Sequence, residues 1–365
     1  MSKMFERTEI NGMALENRFV RSATWEGMAD GDGAVTPKLV ATMADLARGG
    51  VGLIISSHSY VRPEGQAGPW QLGVYKDELI PGLQEMTAAA HNNGGKIVMQ
   101  LSHAGIFASS KLTGQDPLAV SDHEEPGKKP CRQLTGQDIK EIVASFADGA
   151  SRAKAAGFDG VELHSAHGYL LSQFLSPVFN RRQDEYGGGI LNRSRIHIEV
   201  YQAVREAVGE SYPVLIKLNC RDFAEKGLSL EESLQVGRML ADAGLDAIEL
   251  SGGLLTGGRL SPSRPGIKYE EEEAYFREEA RYFKNALDIP IILVGGMRSC
   301  QVAERLVTEG TADYISMSRP LIREPFLINR WKSGDLSRAK CKSDNLCFKT
   351  AMAGNGVYCE MKNSE

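Results

Sequence analysis

Eight times along the chain, a short apolar run rich in β-branched residues is followed by a glycine-rich or polar loop and then by a helical pattern. The runs cover residues 19–23, 52–56, 96–101, 160–164, 214–218, 247–250, 291–294 and 314–317. Most are nearly continuously apolar rather than alternating, as parallel strands covered on the outside by helices require. Helical patterns lie between them, for example over 38–48, 138–156, 230–243 and 300–308, and several end at a glycine just before the next run. Eight consecutive βα units predict an α/β fold of the (β/α)8 TIM-barrel type. Such a barrel takes roughly 250 residues, and a chain of 365 leaves room for additions. Asn11-Gly12 between short apolar segments predicts an N-terminal hairpin, expected to cap the barrel floor ahead of the first strand. Extended loops over 103–134 and 168–191 follow the third and fourth strands, on the C-terminal face where barrels build their sites. The expected organisation is a barrel over 1–335 and a Cys-containing tail over 336–365.

Composition narrows the function classes. Forty-seven acidic against 42 basic residues leave a formal charge of -5, with no long basic block; Lys128-Lys129 is a short pair. Nucleic acid is therefore not an expected partner. The first ten residues are charged and lack the apolar core of a signal peptide. The longest apolar stretches fall far short of the roughly 20 residues that cross a bilayer. Six cysteines are too few for a disulfide scaffold, and a reducing cytoplasm is the expected location, with no membrane partner.

Three groups of residues could carry chemistry. His164-Ser165-Ala166-His167-Gly168-Tyr169 leaves the fourth strand directly, placing two imidazoles and a phenol at one strand mouth. The histidines could hold a carbonyl oxygen through their N–H groups while the phenol supplies a proton; anchoring a loop or ligating a metal are the plainer roles. Gly295-Gly296 after strand seven and Ser318-Arg319 after strand eight form the two halves of a barrel phosphate site. Gln100 and Lys217 stand inside apolar strands, and a lysine directed into a barrel needs a negative partner or loses its charge. An anionic flavin ring, a Schiff-base aldolase role or a structural ion pair would each satisfy it. The run Glu270 to Glu273 with Glu278-Glu279 reads as a solvated helical face.

Taken together these segments resemble the old yellow enzyme family. The resemblance spans nearly the whole chain: Asn17-Arg18, Gln100-Leu101-Ser102-His103-Ala104-Gly105, the His164 to Tyr169 segment, Phe174-Leu175-Ser176-Pro177, Arg182 to Gly188, Val294-Gly295-Gly296 and Ser318-Arg319-Pro320. It implies one non-covalent FMN, reduced by NADH or NADPH and reoxidised by an electron-poor alkene such as an enone. It further implies that Ser22, Ala23, Thr24 and Trp25 run along the flavin, joined by Ser57. Gln100 would bond the pyrimidine edge and Lys217 would sit beside flavin N1 and O2. Gly295, Gly296, Ser318 and Arg319 would take the phosphate. His164 and His167 would hold the substrate carbonyl, and Tyr169 would protonate the α-carbon. A flavin-binding module without turnover is the remaining alternative.

Two departures stand out. Trp25 occupies the position that in many members holds Thr or Cys near flavin O4, where it would crowd the site. Related larger enzymes carry an iron–sulfur cluster on four tail cysteines. This tail offers Cys341, Cys347 and Cys359, with Asp344 in place of the fourth and a spacing one residue shorter. No metal is therefore expected, a zinc site of three thiolates and one carboxylate being the minority reading, and the chain resembles the short, single-domain branch. The tail is expected to fold back on the barrel or onto a neighbouring copy in a homo-oligomer.

Overall fold

In the computed structural model, which describes residues 2–122 and 130–363, the chain opens with the expected hairpin. Strands β1 (Thr8–Ile10) and β2 (Met13–Leu15) pair antiparallel. Asn11 and Gly12 turn between them at φ 43° and 75°, the left-handed backbone that a two-residue hairpin needs. There follow β3 (Phe19–Arg21), β4 (Leu53–Tyr60), β5 (Ile97–Ser102), β6 (Leu118–Ala119), β7 (Arg132–Gln133) and β8 (Gly160–Ser165). The last four are β9 (Val214–Asn219), β10 (Ala247–Ser251), β11 (Ile291–Val294) and β12 (Tyr314–Met317). All but β1, β2, β6 and β7 close one parallel barrel in the order β3-β4-β5-β8-β9-β10-β11-β12, with β12 pairing back onto β3. The 103–134 connection is more ordered than a bare loop, because β6 and β7 pair parallel within it. Lys128-Lys129 lies outside the described residues.

The outer layer follows from amphipathic helices with good starts. Helix Gly136–Ala155 begins at a capping box of Thr135 and Asp138, and buries Ile139, Ile142, Phe146, Ala150 and Ala153 along one face. That spacing of three and four is the helical period, and each large side chain removed from water contributes roughly 1.5–3 kcal/mol. Helix Leu230–Asp242 starts the same way at Ser229 and Glu232. Among the described residues no helix is long and apolar enough to cross a membrane.

Inside the barrel, alternate residues point inward. The floor is apolar: Val20, Leu53, Ile55, Val98, Leu215, Ala247, Ile292 and Tyr314 pack with Ile10, Met13 and Leu15 of the hairpin. One step up, the inward positions are Ser22, Gln100, Glu162, Lys217, Glu249 and Ser316, all buried.

The acidic run departs from the expected solvated face at its last residue. Glu273 is fully buried. Its carboxylate accepts from the backbone N–H groups of Arg298 and Ser299 and from Ser299 Oγ, at 2.7–2.9 Å, and pairs with Arg338. The glutamate thus secures the turn between β11 and helix Cys300–Thr308, while Glu270 to Glu272 remain exposed. Sequence periodicity cannot separate one buried acid from three exposed neighbours when a 3-10 turn, rather than an α-helix, carries them. Glu273→Ala is expected to lower the unfolding free energy by roughly 2–4 kcal/mol, since it strands several buried donors and a guanidinium. A urea midpoint matching wild type would show that these bonds are dispensable.

Candidate active site

The barrel strands open at their C-terminal ends onto a concave cleft lined by residues of several strands and loops, the usual setting of small-molecule sites. Three stations can be followed along it: a cluster of rings, a polar floor, and an Arg-lined end under the tail.

His164, next to last in β8, points inward and is paired in register with Lys217 of β9. The chain then turns sharply through His167 and Gly168, at φ 66° and 89°. A left-handed backbone is strained at His167 and free of that cost at Gly168. The turn is clamped on both sides: His167 N–H donates to Asn219 Oδ1 at 3.0 Å, and Gly168 N–H donates to Ser172 Oγ at 3.1 Å. It presents His167 and Tyr169 beside His164, with ring centroids 5.3 and 4.8 Å from that of His164. Ser251 Oγ and His167 Nε2 lie 2.8 Å apart, whereas His164 Nδ1 is buried without a partner.

A fourth ring joins from β4. His58 stacks on Tyr169 at 5.4 Å with 25° between the planes, and its Nε2 lies 3.5 Å from the phenol oxygen. The β4–β5 register shifts between Ile55 and His58. This irregularity turns His58 inward although it follows the inward Ile55 by an odd number of residues. Burial drives the imidazoles toward neutrality: His58 falls to about 4, and His164 and His167 lie well below their ordinary value, with Lys217 and the neighbouring rings adding to the effect. Burial also pushes the Tyr169 phenol up to about 12. At neutral pH the cluster therefore presents neutral imidazoles and a protonated phenol.

The floor beneath is charged but paired. Lys217 Nζ lies 2.6 Å from Glu249 Oε2 and donates to Ser22 Oγ at 2.7 Å. Ser316 Oγ donates to Glu249 Oε1, and Gln100 Nε2 donates to Glu162 Oε2, both at 2.6 Å. Lys217 thus has a carboxylate partner supplied by the protein itself.

Ser318, Arg319 and Gly296 line the far end of the cleft. Thr24 Oγ1 and Ser318 Oγ are 2.6 Å apart, and Arg319 Nη1 donates to Arg264 O and to Asn345 Oδ1. Here the tail packs on the barrel of its own chain. Gly266 N–H donates to Ser343 O, Asn345 Nδ2 to Ser263 O, and Val357 N–H to Glu26 O. Ser343 and Phe348 join the cleft wall. The tail thiols are free, with Cys341 and Cys347 buried and Cys359 partly so. Among the described residues no three His, Cys, Asp or Glu side chains gather where they could hold a metal ion.

Of the residues singled out from sequence, Ser22, Ala23, Thr24, Trp25, Gln100, His164, His167, Tyr169, Lys217, Gly296, Ser318 and Arg319 line this one cleft. Ser57 and Gly295 are buried but do not line it. Trp25 forms part of the wall, as its bulk suggested, and its indole N–H is buried without a protein partner. His58, Glu162, Glu249 and the tail residues escaped sequence reasoning. The isolated acids in β8 and β10 were the available signal, since each interrupts an apolar strand as Gln100 and Lys217 do.

The buried histidines carry a pH signature. A group whose folded pKa lies below its unfolded value, about 6.5 for His, binds its proton first in the unfolded chain. Stability is then full above about 6.5 and falls as the pH drops toward the folded value, by up to about 1.4 kcal/mol per pH unit for each group. His58 and His103 at about 4, and His197 at about 3, all act in that direction. The urea midpoint is expected to fall steadily from pH 6.5 to 5, before most carboxylates titrate; a flat profile would contradict neutral burial.

Comparison with known proteins agrees with this geometry. The family model described as the NADH:flavin oxidoreductase / NADH oxidase family matches residues 3–337. The chain is 36% identical over 389 residues to an NADH oxidase of Thermoanaerobacter brockii, covering 99% of this chain and 58% of that protein. It is 34% identical over 379 residues to a 4,4'-dithiodibutanoate disulfide reductase of Rhodococcus erythropolis, covering 96% and 93%. The old yellow enzyme homologue of Zymomonas mobilis superposes with a TM-score of 0.78 at 26% identity, over 92% of this chain and 94% of that one. The chain thus spans little more than half of the first relative and nearly all of the other two. With the closed parallel barrel already on view, the match over 335 of its residues places the chain in the NADH:flavin oxidoreductase / NADH oxidase family, the old yellow enzyme family, whose cofactor is FMN with NAD(P)H as reductant.

Proposed function

We propose that this chain uses NAD(P)H to reduce the C=C bond of α,β-unsaturated carbonyl compounds on FMN held in the cleft. The observation that carries the reading is the neutral His164, its Nδ1 unpartnered, set between His167 and the Tyr169 phenol.

The residues fit the cofactor. Two residues of the cleft wall, Trp25 and His164, keep buried polar atoms with no protein partner. A Cβ at Gly296 would meet the Tyr275 ring at 2.8 Å, so only backbone can form that part of the wall. Gly296, Ser318 and Arg319 would hold the phosphate, which sends the ring toward Gln100 and Lys217 and along the Ser22 to Trp25 segment. FMN, when bound, would supply the hydride for the β-carbon. The two imidazoles would donate N–H bonds to the carbonyl oxygen and stabilise the negative charge that develops there. Tyr169, protonated at neutral pH, would deliver its O–H proton to the α-carbon. The barrel-aldolase reading loses support, because the Lys217 ammonium is engaged by Glu249 and Ser22 instead of standing as a free amine. The hydrogen-bonding cluster at the strand mouth favours turnover over simple flavin storage.

The deciding experiment is an anaerobic spectrum of the purified protein. A yellow protein bleached by NADH or NADPH and recoloured by an enone supports the reading; one that an enone leaves bleached refutes it. 4,4'-Dithiodibutanoate belongs beside the enone, as the substrate named for one relative. Replacing His164 and His167 by Ala is expected to slow reoxidation by roughly 10²–10³-fold. Tyr169→Phe should still bind enone while slowing the step by a factor on the order of 10²–10⁴, and reoxidation at the wild-type rate would move the acid role elsewhere.

Arg319→Ala is expected to weaken FMN binding, read by fluorescence titration of apoprotein, with little change in the colour of the bound flavin. Unchanged affinity would remove Arg319 from the phosphate end.

A further inference from the structure

Beneath the cleft floor lie two carboxyl groups that do not line the cleft, Glu162 and Glu249, both at 0% exposure. We propose that Glu249 is the residue that tunes the reduction potential of the flavin, by balancing the charge that Lys217 would present to the ring. The proposal rests on the ring placement argued under the proposed function, but not on any choice of alkene.

The pairing is a matter of geometry. Lys217 stands at register with Glu249 across the β9–β10 ladder and with His164 across β8–β9. Its ammonium meets Glu249 Oε2 on one side and Ser22 on the other, and Ser316 donates to the second oxygen of Glu249. Glu249 is therefore surrounded by donors, the environment of an ionised carboxylate. Glu162 differs. Gln100 donates to one of its oxygens, and its other close neighbour is the Glu249 carboxyl, an acid and not a cation.

Charge accounting separates the two acids. One ammonium beside two ionised carboxylates would leave a net negative charge deep in the barrel, which a low-dielectric interior strongly disfavours. One proton retained by the cluster removes it. Burial and then the adjacent Glu249 carboxylate raise Glu162 well above the usual carboxylate range. Glu249 goes the other way: against its own burial, Lys217 and the hydroxyl donors hold it below the usual value. The cluster is then one cation, one anion and one neutral acid. The other titratable groups facing it, His164 and His167, are neutral.

Two-electron reduction adds negative charge to the flavin ring. An unpaired ammonium beside the ring would favour that state strongly, and the carboxylate paired with Lys217 would offset part of its attraction. Removing the anion should therefore raise the potential. Removing the neutral acid should not, although it sits in the same layer.

Midpoint potentials of the FMN-loaded protein, measured anaerobically against a reference dye, test this without turnover. Glu249→Gln is expected to shift the oxidised–reduced equilibrium at least about tenfold toward reduced flavin, roughly 30 mV for a two-electron couple. Glu249→Asp, which keeps the charge, should stay nearer wild type, and Glu162→Gln should match wild type. Should the single Gln variant fail to fold, the Lys217→Met/Glu249→Gln pair, which removes both buried charges together, should lie above Lys217→Met alone. An unchanged or lower potential in Glu249→Gln overturns the proposal, as does an equal rise in Glu162→Gln. Lys217→Met is the control for ring placement and should lower the potential. If it does lower it while Glu249→Gln raises nothing, the placement survives and only the counter-ion role fails; if it does not, the placement itself fails.

Discussion

A closed parallel barrel has a small interior that side chains must fill, and alternate residues of all eight strands are committed to it. Here that space is divided by polarity. The hairpin and the lowest inward residues form an apolar plug. Above this plug, Ser22, Gln100, Lys217 and Ser316 of the polar layer line the cleft at the C-terminal mouth. Everything distinctive about the site follows from that asymmetry, because ionisable groups just above a dry plug must pair with one another or exchange protons to remain buried.

The ring cluster shows how a rigid scaffold places groups with little freedom of their own. His164 is fixed by its strand, while His167 and Tyr169 are fixed by a turn held at both ends by side chains of neighbouring segments. His58 reaches the cleft through a register irregularity in β4. Backbone strain at His167 and broken pairing in β4 both fall at the candidate site, in keeping with strain gathering at functional sites.

The tail completes the opposite end of the cleft. Asn345 bonds Arg319 directly, and the backbone around Ser343 and Val357 is hydrogen-bonded to barrel loops. Arg319 is thereby oriented by a segment remote in sequence from the barrel strands. Cys341 and Cys347 are buried in this packing, and burial raises their thiols above their ordinary value. That is how apolar packing residues behave.

The barrel was legible from sequence because its signal is periodic and repeated: eight apolar runs, each followed by a helical pattern, leave few alternatives. The residues at the strand mouths, His164 to Tyr169 and Ser318-Arg319, were legible for the same reason, since a strand's end locates them without knowledge of distant neighbours. Glu162 and Glu249 were not, because the partner of Lys217 lies on the adjacent strand and only barrel closure brings the two together. His58 was hidden by a shift of one residue, which a strict alternation of two assigns to the wrong face. Glu273 looked like one more acid in a solvated run until the turn before helix Cys300–Thr308 closed around it. Local periodicity therefore determined the elements and the face on which chemistry sits, whereas tertiary structure alone decided which buried charges meet, because register, bulges and long-range closure are set by packing across the whole barrel.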